Sequence, residues 1–148
     1  MGREAVRRAV LSLDGLGPGT ALTRRILAEL GTDLPTLTAW AAKARPADYA
    51  RFAPVILAEA QNGDEVASSI VASAAASLGD LGRRLVSLGA ERLCLLGGLA
   101  EAMAGRVAGD VRVRLVPPEA DATDGAIMLA RQAAGLPALP NDREPQHG

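Results

Sequence analysis

The sequence predicts a predominantly helical α/β fold with about two parallel strands. Most of the chain before Arg92 carries apolar residues at the three- and four-residue spacing typical of helices. Beyond it, strands are predicted at residues 92–96 and 111–116 in the order helix–strand–helix–strand–helix, which joins parallel strands by a right-handed crossover. Because parallel sheets are covered on both faces and usually have more strands, we expect the trailing part of a larger α/β domain.

Capping residues, glycine and proline delimit the helices predicted before Arg92. Thr20 is a good N-cap, and Gly31 stands where a left-handed C-terminal cap is expected. Pro54 either kinks its helix or begins a new one. At Gly63-Asp64 one helix ends, and the Asp64 side chain caps the next. The predicted helices cover residues 3–13, 20–30, 37–44, 48–62 and 64–88.

The last of these helices carries a long apolar stripe, which we interpret as core or as an interface. Gly79 and Gly82 interrupt it, cost roughly 1 kcal/mol each relative to alanine, and often mark close helix packing. Gly89 should end the helix. The stripe consists of Val66, Ile70, Val71, Ala74, Leu78, Leu81, Leu85 and Leu88.

The C-terminal third contains two further predicted helices and a polar end. One helix covers residues 99–107, and a second, capped by Thr123 or Asp124, runs to about Ala134. Gly135, Pro137 and Pro140 then end regular structure. We expect an ordered segment at residues 1–136 and a disordered tail at 137–148.

Composition excludes several classes of function. A chain of 148 residues suits one domain or half of a two-domain enzyme. A net charge of −1 argues against binding to nucleic acid or to an acidic membrane surface. No signal peptide or membrane-spanning apolar run is recognised, so a cytoplasmic location is the default expectation. Aromatic residues are only 2%, and Trp40, Tyr49 and Phe52 are expected to form one local cluster.

The cysteine and histidine content of the chain argues against covalent catalysis by these residues. Cys94 is the only cysteine, so an intrachain disulfide and a cysteine-based metal site are excluded, and we expect it to be buried in its strand. His147, the only histidine, lies beside the C-terminus, so we dismiss a Ser-His-Asp or Cys-His mechanism.

The turn at Gly97-Gly98-Leu99 is the strongest candidate binding site. An apolar strand ends there in two glycines and a helix begins at once. Glycine lacks a Cβ, so a ring or phosphate can approach the backbone closely, and the first N–H groups of a helix favour negative charge. A tight turn that returns a helix onto its sheet is the alternative interpretation.

These residues resemble the C-terminal half of the BadF/BadG/BcrA/BcrD-type ATPases and their N-acetylglucosamine and glucosamine kinase relatives. The resemblance covers about residues 2–135 and rests on the order and spacing of motifs, none of which is specific by itself. The motifs are Gly2-Arg3-Glu4-Ala5, Asp14-Gly15 with Thr20-Ala21-Leu22-Thr23, Ala53-Pro54-Val55, Ala60-Gln61-Asn62-Gly63-Asp64, Leu96-Gly97-Gly98-Leu99, and Pro118 with Asp124-Gly125-Ala126 and Leu129-Ala130.

The resemblance implies a ribonuclease-H-like, actin-like ATPase fold that closes around ATP and Mg²⁺. It implies that Gly97 and Gly98 lie against the adenosine and α-phosphate, and that a sugar hydroxyl receives the γ-phosphoryl group. The family's phosphate loops, catalytic aspartate and magnesium site precede the matching region. We therefore expect an incomplete amino-sugar kinase segment, inactive alone, that joins a missing N-terminal half or self-associates through exposed sheet edges.

Other polar residues have simpler interpretations. Asp124 could order the nucleotide or sugar side of a cleft but is more often a helix cap, and Asp14 belongs first of all to an Asp-Gly turn. Glu119 and Asp121 lie in a loop near the expected path of the phosphates, but carboxylates repel phosphate unless a metal intervenes. Arg112 and Arg114 are expected on a solvated strand face.

Two other functions remain open. The first is an ATPase activator that energises electron transfer to a dehydratase. That branch holds an iron–sulfur cluster through cysteines at a dimer interface, and a lone Cys94 within a strand argues against it. The second is a non-catalytic remnant or interaction module, since the catalytic half is not matched.

Overall fold

The computed structural model describes residues 1–137, and the side chain of Ala122 is left undescribed within them. The described chain contains nine helices, joined by turns and by two longer connections at residues 88–99 and 113–121. Their bounds are α1 Gly2–Leu13, α2 Ala21–Leu30, α3 Leu34–Lys43, α4 Pro46–Ala50, α5 Ala53–Gln61, α6 Glu65–Ser87, α7 Ala100–Ala104, α8 Gly109–Arg112 and α9 Ala122–Ala133. Residues 138–148 lie outside the described part, which leaves His147 and nearly all of the predicted disordered tail undescribed.

Caps confirm the predicted starts of α2 and α6, whereas the helix predicted at residues 37–44 begins earlier, at Leu34, and the helix predicted at residues 48–62 is divided into α4 and α5. Thr20 forms a capping box with Thr23, and the Asp64 side chain accepts from the backbone N–H of Ala67 at the start of α6. Pro54 lies in the first turn of α5 and begins a new helix. Gly31 has a positive φ of 121° but an extended ψ of 159°, so it ends α2 without the predicted left-handed cap.

The hydrophobic core lies among α1, α2, α5 and α6. It is formed mainly by aliphatic side chains, together with one fully buried aromatic ring, that of Phe52: Ala5, Val6, Ala9, Leu22, Ile26, Leu30, Leu37, Phe52, Ile56, Val66, Ala67, Ile70 and Val71. The predicted aromatic cluster is confirmed, since the ring centroids of Trp40 and Tyr49 are 5.0 Å apart and those of Trp40 and Phe52 are 6.3 Å apart.

The apolar stripe of α6 is buried only along its first half. Val66 and Ile70 are almost fully buried, but Leu81, Leu85 and Leu88 are exposed by 57%, 42% and 66%. The interpretation of the stripe as core therefore holds for its N-terminal half, and the alternative of an interface stays a prediction for its C-terminal half. The physical reason for the exposure is that no other described helix covers this part of α6 on that face.

On another face, α6 approaches α8 closely at Gly82. A Cβ built on Gly82 would lie 2.5 Å from Cγ1 of Val111, which is shorter than van der Waals contact. The close helix packing predicted from this glycine is thus present. Arg83 adds an ion pair with Asp110, with 2.7 Å between Nε and Oδ2.

The strand prediction is only partly supported. Within residues 1–137, the segments at 92–96 and 111–116 meet in one isolated parallel bridge between Leu93 and Leu115. The backbone N–H of Leu93 donates to the carbonyl of Arg114 at 2.9 Å, and the N–H of Val116 donates to the carbonyl of Leu93 at 2.8 Å. The next rung would need a donor from Pro118, which has no N–H, so the ladder stops there.

The prediction of a strand from residue 111 is wrong. Residues Gly109–Arg112 form α8, and a turn follows before the chain extends at Leu115. Burial of Val111 against α6 and the Asp110–Arg83 ion pair favour a helical turn over the extended conformation suggested by the Val-Arg alternation. Arg112 and Arg114 are solvated as predicted, but not on a strand face.

Three further expectations are corrected near the C-terminal end. Cys94 is exposed rather than buried, because nothing described covers its side of the extended segment. The helix predicted at residues 99–107 is shortened to α7. The N-cap of α9 is Asp121, whose Oδ1 accepts from the N–H groups of Thr123 and Asp124 at 2.7 and 2.9 Å.

Among the helices of residues 1–137, none combines the length and apolar character needed to cross a membrane.

Candidate functional site

The turn at Gly97-Gly98-Leu99 joins the extended segment to α7. Gly97 has a φ of 101°, a conformation that favours glycine, and its carbonyl accepts from the N–H of Ala100 at 3.0 Å. Leu99 is the N-cap residue of α7, and its carbonyl accepts from the N–H of Met103 at 3.0 Å. The sequence therefore needs glycine at position 97 for the turn itself.

Gly98 has no such conformational requirement, and the space around it is open. A Cβ built on Gly98 would meet no heavy atom within 4 Å. A ligand could therefore approach the backbone of this residue without displacing any described protein atom. This is the property for which a glycine next to a ligand is suited.

Gly98 and Leu99 lie on one wall of a groove of about 600 Å³. The opposite walls are formed by the N-terminus of α1 and by α4 and α5. The other lining residues are Met1, Gly2, Arg3, Pro46, Tyr49, Ala50, Ala53 and Pro54. The volume lies within the range of small-molecule sites, and the lining is mostly apolar with a few polar groups.

Close contact between α1 and α4 shapes the far wall of this groove. A Cβ built on Gly2 would overlap the carbonyl oxygen of Tyr49, so a larger residue would push the two helices apart. The guanidinium of Arg3 lies 5.4 Å from the centroid of the Tyr49 ring, within the range of a cation–π contact. Arg3 forms no salt bridge with any carboxylate of residues 1–137, so its positive charge is available at the groove.

A smaller groove of about 460 Å³ lies on the other side of the turn. Leu96, Gly97 and Glu101 line it together with residues of the second extended segment, Leu115, Val116, Pro117 and Pro118. It brings together Gly97 and Pro118, which belong to two of the predicted motifs. A carboxylate on its rim makes it less suited to an anion than the groove beside Arg3.

The other polar candidates of the sequence do not converge on either groove. Asp124 is the partner of Asp121 in a capping box and accepts from the Asp121 N–H at 3.1 Å, so both serve the start of α9. Glu119 pairs with Arg92, with 3.2 Å between the charged atoms. Asp14 caps the C-terminus of α1 before the Gly15 turn. Within the described part of the chain, no group of His, Cys, Asp and Glu side chains could hold a metal ion.

The far wall of the groove is not apparent from the sequence. The sequence pattern places Tyr49 only in the aromatic cluster and Arg3 only at a helix start. Both lie far from Gly98 in sequence, so only the packing of α1 and α4 could bring them to the turn. A weak signal was present in Gly2, whose lack of a side chain permits the close approach of the two helices.

Comparisons with known proteins indicate the class to which this architecture is related. No family model matches the chain. The relatives found are sugar kinases, and the structural neighbour has the actin-like ATPase fold. The fold of the described chain is therefore similar to that of part of a sugar kinase.

Two particular relatives define the similarity. The chain is 34% identical over 133 residues to the glucosamine kinase GspK of Vibrio cholerae serotype O1 (strain ATCC 39315 / El Tor Inaba N16961). This alignment covers 88% of the present chain and 44% of GspK. A crystal structure of a candidate N-acetylglucosamine kinase from Chromobacterium violaceum aligns with a TM-score of 0.77 and 32% identity. The structural alignment covers 86% of the present chain and 45% of the Chromobacterium violaceum protein. The chain thus spans less than half the length of either relative.

Proposed function

We propose that this chain is the ATP-binding segment of an ATP-dependent amino-sugar kinase of the BadF/BadG/BcrA/BcrD type, and that it is inactive alone. The observation that carries the proposal is 34% identity to a glucosamine kinase over 88% of the chain. The groove beside Gly98 supports it, because this groove has the size and polarity that suit a nucleoside.

Gly97, Gly98 and Leu99 are the proposed adenosine contacts; Gly98 and Leu99 line the groove beside Arg3, whereas Gly97 lines the smaller groove and would act by holding the turn. The open backbone of Gly98 would let the nucleoside lie against the turn, while Leu99 and Tyr49 provide apolar surface on either side. Arg3 carries a charge that could meet the phosphates. ATP supplies the phosphoryl group, and the residues of this chain bind and orient it, since phosphoryl transfer depends chiefly on positioning and charge neutralisation.

Mg²⁺ does not fit the residues described here. Magnesium is held by carboxylates and phosphate oxygens, and residues 1–137 contain no cluster of possible ligands. The metal ligands, the catalytic base and the amino-sugar site would be provided by another part of the kinase, which corresponds to the portion of the relatives that this chain does not match.

Calorimetric titration of the chain with ATP tests the nucleotide site. We expect weak but measurable binding that Gly98→Val reduces at least fivefold, because the new side chain would project into open groove space. Gly105→Val is the matched control, since Gly105 also has open space around its Cβ position but does not line the groove. Absence of ATP binding, or equal effects of the two substitutions, would contradict the proposed site.

Release of ADP that depends on an amino sugar tests the assignment to a kinase. We expect none from the chain alone and restoration when the missing half is supplied. Sugar-independent ATP turnover would instead favour the dehydratase activator. The absence of both ATP binding and ATP turnover would favour a non-catalytic module. The exposure of Cys94 removes one argument against the activator, but one cysteine per chain still offers few ligands for a cluster.

A further inference from the structure

Three aromatic side chains lead from the hydrophobic core to the groove beside Gly98. Phe52 belongs to the core, with only 1% of its surface exposed. The ring of Trp40 meets both Phe52 and Tyr49 edge to face, the arrangement that aromatic pairs prefer, at 6.3 and 5.0 Å between centroids. Of these three residues, Tyr49 lines the groove and Trp40 lies behind it. The position of the Tyr49 ring at the groove therefore depends on Trp40.

Tyr49 in turn restricts the position of Arg3. The guanidinium carbon of Arg3 lies 5.4 Å from the centroid of the Tyr49 ring, so the cation is attracted to the ring face. The main chain of Tyr49 also meets the start of α1, because its carbonyl oxygen occupies the place of a Cβ at Gly2. Side chain and main chain of Tyr49 thus both contact the first residues of α1.

The carboxylate next to Arg3 in sequence does not neutralise its charge. Glu4 pairs instead with Arg7 and Arg8, at 2.6 and 2.8 Å between the charged atoms. No salt bridge joins Arg3 to an acidic side chain of the described chain. Arg3 is exposed and lines the groove. An anionic group that enters the groove would therefore meet a guanidinium whose position is set by an aromatic ring.

We propose that Trp40 is a positioning residue which, through Tyr49, holds the guanidinium of Arg3 at the groove, so that the groove prefers a phosphorylated nucleotide to the uncharged nucleoside. The inference rests on the proposed nucleotide site. The planar fork of a guanidinium matches the oxygens of a phosphate, and a side chain that is already held loses less freedom when it binds. Adenosine offers no charge to Arg3, so Trp40 should affect the binding of ATP and not that of adenosine.

Titrations with ATP and with adenosine, followed by NMR chemical shifts, test this preference. We expect Arg3→Gln to weaken the binding of ATP about tenfold, as for the loss of a contact to a charged group, and to leave the binding of adenosine unchanged. Arg51→Gln is the matched control. It removes a guanidinium that lies 5.0 Å from the ring centroid of Phe52 but does not line the groove, so it should alter neither affinity.

Trp40→Leu tests the positioning role itself. We expect it to weaken the binding of ATP about threefold, the size of an exposed cation–π contact, with the affinity for adenosine unchanged. Trp40→Phe keeps an aromatic ring beside Tyr49 and should retain most of the affinity for ATP. In the Arg3→Gln chain, Trp40→Leu should have no further effect, because the group that it positions is gone. The dispersion of the NMR spectrum shows whether each variant is folded.

Three results would overturn the inference. The first is an equal loss of affinity for ATP and adenosine in Arg3→Gln. The second is an equal loss for the two ligands in Trp40→Leu, which is the result expected of a merely structural role. The third is an undiminished effect of Trp40→Leu in the Arg3→Gln chain. Each of these leaves the proposed nucleotide site intact if Gly98→Val still weakens the binding of ATP, whereas a chain that binds no ATP contradicts that site and this inference together.

Discussion

The Asp64 carboxylate ties the start of α2 to the start of α6 through the backbone N–H of Leu22. That N–H donates to Oδ2 of Asp64 at 2.9 Å, while the N–H of Ala67 donates to Oδ1 at 2.9 Å. One side chain therefore satisfies backbone donors of two helices that are far apart in sequence. Leu22 itself is fully buried, so the contact fixes α2 against the core.

Asp64→Ala should destabilise the chain by about 2 kcal/mol, at the upper end of the range for the loss of an N-cap, because donors of two helices lose their acceptor. The measurement is urea denaturation followed by circular dichroism. Asp33→Ala is the control, since Asp33 caps α3 through the N–H of Thr36 and touches no second helix. An equal loss in the two variants would show that the Leu22 contact contributes nothing.

The stability provided by Asp64 should depend on pH. Burial raises the pKa of this carboxyl, but hydrogen bonds from Leu22 and Ala67 to the ionised form outweigh burial and hold the pKa below its ordinary value. The ionised form is therefore favoured by folding. Its contribution is fully present above the unfolded pKa of about 3.9 and is lost as the pH falls through the lower, folded pKa.

This dependence can be measured by comparing the free energies of unfolding of the wild type and Asp64→Asn between about pH 2 and pH 7. The difference should be largest at neutral pH and should shrink below about pH 4. A difference that stays constant with pH would mean that the charge of Asp64 has no part in its role as a cap.

Gly82→Ala should destabilise the chain by roughly 1–3 kcal/mol, because its new Cβ would overlap Val111 of α8. Val111→Ala in the same chain should recover part of that loss, which a double-mutant cycle would measure. Gly79→Ala is the matched control on α6. The nearest atom there lies 3.7 Å away, so that substitution should be neutral or stabilising by up to about 1 kcal/mol. Equal effects at the two glycines would contradict the α6–α8 contact.

Local signals in the sequence predicted much of the helical framework. The capping roles of Thr20 and Asp64 depend on hydrogen bonds to residues three positions away, so they are encoded within one turn of chain. The glycine turn at Gly97 is local in the same sense. The segment at residues 111–116 was misassigned because burial of Val111 against α6 outweighed its own strand propensity.

The sequence predicted only one side of the candidate site, the glycine turn. The resemblance and the local turn identified Gly97, Gly98 and Leu99, but their role with ATP stays a prediction. Tyr49 and Arg3 complete the groove only because α1 and α4 pack together at Gly2, a contact between distant parts of the chain. A single sequence carries no direct signal for such a contact.

The sequence by itself determined where α2, α5 and α6 begin, because Thr20, Pro54 and Asp64 act within a few residues of their own positions. Only the tertiary structure decided which apolar residues are buried. Ile70 and Leu85 belong to the same stripe of α6, yet one is 3% and the other 42% exposed. The periodicity of a helix defines an apolar face, but burial depends on whether another element lies against it.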